Sequence, residues 1–190
     1  MCQLCFLVML MRVITGIAKG KRLIAPEGYD VRPTSDKVKE GLFSALQFDI
    51  EGRRVLDLFA GSGQLGIEAL SRGAKSAVFV DNSGTSVKIV EKNIEACGFK
   101  ENSRVVKSDY SAFCAMSRDT FDIVFLDPPY YEELLLSSVK AVLPLMSDYG
   151  LIVCEHPPKV LMPEEIGGFK ALKTYSYGKI NVTVYRKGEG

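Results

Sequence analysis

Tryptophan is absent from this chain, and histidine occurs once, at His156. One imidazole is too few for a histidine-based metal site. The five cysteines, Cys2, Cys5, Cys97, Cys114 and Cys154, are odd in number and scattered, which is no disulfide framework. Cys2 and Cys5 form a CxxC, yet no second pair and no nearby histidine completes a zinc site. Long apolar runs are missing too. The uncharged opening "MCQLCFLVML" falls far short of the roughly 20 residues that span a bilayer. No basic leader precedes it and no small-residue cleavage site follows, so it does not read as a secretory signal. Unpaired cysteines without an export signal predict a cytosolic protein with no membrane contact. Net charge is nearly nil, +1 over 190 residues, so no whole-molecule field points to a partner.

What is there is unevenly spread. Between Arg12 and Lys39 seven bases (Arg12, Lys19, Lys21, Arg22, Arg32, Lys37, Lys39) face three acids (Glu27, Asp30, Asp36), and the rest of the chain is mildly acidic. A basic segment on an acidic body suggests contact with a polyanion. Met11 opens "MRVITGIAKGKRL", which reads like a natural start, so residues 1–10 are expected to be an extension of the folded unit. One domain over residues 11–190 is expected, since 47% apolar and 25% charged residues can build one substantial core.

"RVITG" and "KRLIAP" predict a small hairpin over residues 11–32, too small to stand alone. In "VRPTSDKVKEGLFSAL", Thr34 or Ser35 can cap a helix that carries Val38, Leu42, Ala45 and Leu46 at helical spacing. From Arg53 strands and helices alternate: "RVLDLF", "GQLGIEALSR", "SAVFVD", "TSVKIVEKNIEAC", "SRVVKSD", "YSAFCAMS", "FDIVFLD", "ELLLSSVKAVLPLM", "YGLIVCEH". Two strand-like runs around Gly178 close the chain. The pattern predicts an α/β fold, Rossmann-like. Its mostly parallel sheet of seven strands has helices on both faces and an antiparallel edge.

Ligands of such sheets bind at the carboxyl ends of the strands. There the chain puts "DLFAGSGQLG", then Asp81, then Asp109, then "DPPY". Gly61, Gly63 and Gly66 spell G-x-G-x-x-G with Asp81 twenty residues after Gly61, which by spacing alone is a dinucleotide pattern. Asp57 argues against a pyrophosphate, because a carboxylate beside that loop repels it. The acids suit S-adenosylmethionine, which has an ammonium, a sulfonium, a ribose and an adenine but no phosphate. Asp57 would face its amino-acid end, Asp81 the ribose hydroxyls and Asp109 the adenine amine.

"FDIVFLDPPYYEE" delivers an acid to a strand end and then forbids the chain to continue regularly. An exocyclic amine on a nucleobase is a poor nucleophile, because its lone pair is delocalised into the ring. Asp127 and a carbonyl of Pro128–Pro129 can accept its two hydrogens and free that pair. The prolines fix φ and bring no competing N–H. Tyr130 offers a face for stacking, and Tyr131 a second face or a plain loop residue. Glu155 and His156 end a later strand beside two prolines. A general acid-base role is conceivable for them, but the chemistry needs no histidine, so a supporting role is expected of both.

"DLFAGSG" with "DPPY" resembles the amino-methyltransferases of the class I S-adenosylmethionine fold. "RVITGIAKGKRLIAP" and "VRPTSDKVKEGLFSAL" are similar to the RsmD-type 16S rRNA guanine-N2 methyltransferases, from about Met11 onward. The resemblance implies a bacterial enzyme that methylates the N2 of a guanine in 16S rRNA. It implies a cofactor site at Asp57, Phe59, Ala60, Gly61, Gly63, Asp81, Asn82, Asp109 and Tyr110, with Arg32 and Thr34 between hairpin and cofactor. It implies a catalytic loop at Asp127, Pro128, Pro129 and Tyr130. The hairpin would meet RNA phosphates through Arg12, Lys19, Lys21 and Arg22. So small a chain reads little RNA, so a monomer acting on a partly assembled small subunit is expected. DPPY also occurs in DNA amino-methyltransferases. Amino methylation of DNA adenine or cytosine, or of a protein glutamine, is therefore the rival reading. An NAD-dependent oxidoreductase and a non-catalytic RNA-binding module stand behind it.

Overall fold

The computed structural model describes residues 11–25, 36–129 and 132–188. Its centre is one sheet of eight strands in the order β3-β2-β1-β4-β5-β8-β7-β6. β1 (Arg54–Asp57), β2 (Ser76–Asp81), β3 (Ser103–Lys107), β4 (Phe121–Leu126) and β5 (Met146–His156) run parallel. β6 (Glu165–Ile166), β7 (Phe169–Tyr177) and β8 (Ile180–Lys187) add the antiparallel edge. The sequence led us to expect seven strands; the eighth is the two-residue β6, too short to leave a periodic signal. Chain order reverses between β1 and β4, which makes the cleft above their carboxyl ends the switch point of the sheet.

Strand alternation sorts the core into two layers. Val55, Phe79, Phe125 and Val153 turn one way, against α1 (Asp36–Ala45), α2 (Gln64–Ser71) and α3 (Gly84–Cys97). Leu56, Val80, Leu126 and Cys154 turn the other way, against α4 (Tyr110–Met116) and α5 (Glu132–Val142). α3 stops where expected, at Gly98 with φ 80°, a conformation cheap only for glycine. Pro144 ends α5 in one turn of 3-10 helix. No helix among the described residues is long and apolar enough to cross a membrane.

The amino-terminal segment closes on itself antiparallel over residues 11–23, within the hairpin expected over residues 11–32, of which residues 26–32 lie outside the described residues. Its strand pairing is a single antiparallel bridge, Arg12 to Arg22. The donors that a longer ladder would use go elsewhere. Ile14 N–H (2.7 Å) and Thr15 N–H (3.0 Å) donate to the two oxygens of Glu68, Ile17 N–H to the Ser71 carbonyl, and Ala18 N–H to Ser71 Oγ. Gly16 has φ 84°, and a Cβ there would lie 1.7 Å from the Ser71 carbonyl oxygen. The segment is bound to α2 as well as to itself, where Leu23 N–H donates to the Met11 carbonyl, Val13 N–H to Lys21 and Gly20 N–H to Val13. Lys39, counted in the basic stretch, is buried; its Nζ donates to the Arg12 carbonyl at 2.7 Å and lies 3.6 Å from Asp36. Burial lowers its pKa, and Asp36 and Glu68 oppose that.

Candidate functional site

The loop after β1 is stitched between its neighbours: Leu58 N–H donates to Phe125 and Ala60 N–H to Val80. Gly61 (φ 55°) and Gly63 (φ 77°) make the left-handed turns that deliver the chain into α2. Gly66 is required for a different reason. A Cβ there would lie 2.3 Å from the Phe79 ring, so only glycine lets α2 lie this close to the sheet.

Asp57, Asp81 and Asp127 follow Val55, Phe79 and Phe125 onto the α2 face of the sheet. Asp57 is 2% exposed, and its Oδ2 accepts from Gly66 N–H at 3.0 Å, tying the first turn of α2 to the strand end. Burial pushes its carboxyl up to about 8, the nearby charges of Asp127 and Asp81 add to this, and the Gly66 N–H opposes it. Asp81 accepts from Gly61 N–H at 2.9 Å through Oδ2 and from Ser83 N–H at 2.8 Å through Oδ1, so it shapes the glycine loop from the next strand. Asp127 is partly buried at the end of β4, where desolvation pushes its carboxyl up to about 7. Pro128 behind it is buried and Pro129 is exposed. Among the described residues no ion pair involves any of the three acids.

The structure thus brings Asp57, Asp81, Asp127 and the loop Phe59, Ala60, Gly61, Gly63 to one edge. Asn82 is exposed just beyond Asp81. Asp109 is exposed and caps α4: its Oδ1 accepts from Ser111 N–H (2.9 Å) and Ser111 Oγ (2.7 Å), which hold its pKa below the usual range. Tyr110 packs on Phe59 with ring centroids 5.6 Å apart, and its hydroxyl lies 3.0 Å from Ser137 Oγ. Arg32, Thr34, Tyr130 and Tyr131 lie outside the described residues. Arg12, Lys19, Lys21 and Arg22 are exposed on the amino-terminal segment, Arg12 in an ion pair with Asp36 at 3.1 Å.

His156 is buried and fully engaged. Its Nδ1–H donates to the Pro157 carbonyl (3.1 Å); Nε2 therefore accepts from the Thr183 hydroxyl (2.8 Å), which accepts in turn from Thr174. Burial lowers its pKa.

Sequence reasoning missed Glu68, Ser71 and Asn93. Asn93 accepts from Ile24 N–H and donates to the carbonyls of Ile24 and Ser62, joining the amino-terminal segment to the glycine loop. Glu68 also accepts from Arg72 at 2.8 Å. One signal was available: Glu68 is the only charge in α2, all eight residues of which are buried, and a buried lone carboxylate must have partners.

A family model described as Conserved hypothetical protein 95 matches residues 11–186. The chain belongs to that family. The YlbH protein of Bacillus subtilis is 41% identical over 186 residues, 93% of this chain and 99% of that protein. Ribosomal RNA small subunit methyltransferase D of Escherichia coli is 37% identical over 144 residues, 76% of this chain and 70% of that protein. The solved structure of the YhhF protein from Escherichia coli superposes with a TM-score of 0.84 at 32% identity, covering 94% of this chain and 98% of that one. The Rossmann-like methyltransferase fold read from the sequence is the fold of this Conserved hypothetical protein 95 member.

Proposed function

We propose that the protein transfers a methyl group from S-adenosylmethionine to the exocyclic N2 of a guanine in 16S rRNA. The observation that carries this reading is the row of Asp57, Asp81 and Asp127 beside the glycine loop, unpaired with any cation among the described residues. Such a row repels a pyrophosphate and attracts a cation. The surroundings fit the ligand. A Cβ at Gly61 would have no neighbour nearer than 4.0 Å, so the loop backbone is open to close approach. Gln64 Oε1, at the first position of α2, is buried with no donor among the described residues, and an ammonium would supply one. Asp57 then faces the amino-acid end and Asp81 the ribose hydroxyls, within walls formed by Phe59, Ala60, Gly61, Gly63 and Asn82. Asp109 and Tyr110 border the adenine side, and Arg32 and Thr34 serve both cofactor and RNA. The name of the Escherichia coli relative supports an RNA substrate in the small subunit.

When bound, S-adenosylmethionine supplies a sulfonium-borne methyl carbon, which the guanine amine attacks as the carbon–sulfur bond breaks. Asp127 accepts one amine hydrogen and a Pro128–Pro129 carbonyl accepts the other, turning the nitrogen toward tetrahedral geometry. Both acceptors are fixed before the base arrives, because proline rings set φ. Tyr130 stacks on the base. The extra proton leaves to water, so no strong base is needed. Arg12, Lys19, Lys21 and Arg22 hold phosphates and set the register of the RNA. The protein acts as a monomer on a partly assembled particle.

The test uses labelled cofactor and small subunits from cells lacking this gene, with the methylated nucleotide mapped. Asp127→Ala should lower transfer about 10²–10³-fold while RNA binding persists. Unchanged transfer refutes the role of Asp127, and label entering only duplex DNA refutes the substrate.

A further inference from the structure

Asp127 and the proline carbonyls handle the amine, but they do not choose its ring. Adenine and guanine both carry an exocyclic amine beside a ring nitrogen. In guanine that nitrogen, N1, bears a hydrogen; in adenine it bears a lone pair. A site selective for guanine therefore needs a second acceptor beside the first, and a carboxylate there repels adenine as well as accepting from guanine.

β5 supplies one. Leu126 of β4 pairs with Cys154 of β5, so the next residues, Asp127 and Glu155, end neighbouring parallel strands side by side. Glu155 pairs across β8 with Val182, and it shares strand parity with Val153. Both valines belong to the α2-face core, so Glu155 and Asp127 lie on the same face of the sheet. Glu155 is 7% exposed. It lines a narrow cleft against Pro128 and Pro129, closed by Glu132, Leu135, Pro157 and Val160. Only Glu132 and Glu155 among these bring a side-chain acceptor, and Glu132 is exposed in the first turn of α5. An exposed carboxylate repels a ring lone pair weakly because water screens it; a buried one is screened less.

We infer that Glu155, the buried carboxylate at the end of β5 beside Pro128–Pro129, accepts the N1–H of the target guanine and so selects guanine over adenine. This rests on the methyl-transfer reading above. Glu155 is thereby a specificity residue, where the sequence had suggested only a supporting role.

The test replaces the target guanine of the mapped RNA by 2-aminopurine, which keeps the amine and lacks the N1 hydrogen. Wild-type protein should methylate guanine at least about 100-fold better than 2-aminopurine, and cofactor-free protein should bind the guanine RNA more tightly in competition. In Glu155→Gln the guanine rate should fall and the ratio should collapse to within about threefold, because the amide can donate to a bare N1 as well as accept. Cofactor affinity should hold in that variant. A ratio retained by a folded Glu155→Gln overturns the inference. Should that variant not fold, the wild-type comparison decides alone: equal methylation of guanine and 2-aminopurine overturns the inference. Absence of transfer to any RNA by wild type instead refutes the parent reading.

Discussion

Asp57→Asn should change how stability depends on pH. In the ligand-free protein burial, then the charges of Asp127 and Asp81, raise the Asp57 carboxyl from 3.8 to about 8. The unfolded chain ionises it near 3.8, so between these values unfolding releases a proton. Stability is thus fully present below 3.8 and declines as the pH rises toward about 8. Each pH unit inside the window is worth about 1.4 kcal/mol, so going from about pH 5.5 to about pH 7.5 removes about 3 kcal/mol through this group. For a chain of this size about 1 kcal/mol moves the unfolding midpoint by about 2–4 °C, which gives a fall of about 6–12 °C. Asparagine keeps an oxygen for the Gly66 N–H and has no proton to lose. Calorimetric melts across this range should show a variant whose midpoint falls less, leaving it the more stable form at about pH 7.5. Some slope should persist, because Asp127 is itself raised to about 7. Wild-type and variant midpoints that run parallel would refute the assignment of a buried, repelled carboxylate at the site.

The same acids should link cofactor binding to protons: S-adenosylmethionine affinity should rise between about pH 6 and about pH 8, with proton release seen as buffer-dependent heats in calorimetry. Glu68→Gln should cost about 3 kcal/mol and expose the Ile14 and Thr15 amides to rapid hydrogen exchange, while amides in the sheet stay protected. Replacing Lys19, Lys21 and Arg22 together by alanine should flatten the salt dependence of RNA binding by about two to three in log–log slope. An unchanged slope removes that segment from the interface.

The sheet was legible because apolar period decides it. "SAVFVD" and "FDIVFLD" alternate or run apolar and end in acids, and the strands came out there, with Asp81 and Asp127 at or just past their ends. The rule that ligands sit at the carboxyl ends of parallel strands then located Asp57 as well. Asp109 is legible as an acid at a strand end, but its capping of α4 through Ser111, two residues on, is not. The docking of the amino-terminal segment was illegible for the opposite reason. Its amides bond to Glu68, more than fifty residues away in sequence, and no periodicity reports such a partner. Lys39 looked like surface charge because a lysine in a basic run usually is, and only the fold shows its ammonium under the Arg12 carbonyl.

The bonding of the amino-terminal segment to Glu68 and Ser71 means that its basic residues ride on the same helix that carries the glycine turn at its start. An engineer wishing to exchange this basic segment for another could not splice in a foreign one alone. The two α2 side chains would have to travel with it, as would Asn93, since they are the socket into which any replacement must plug.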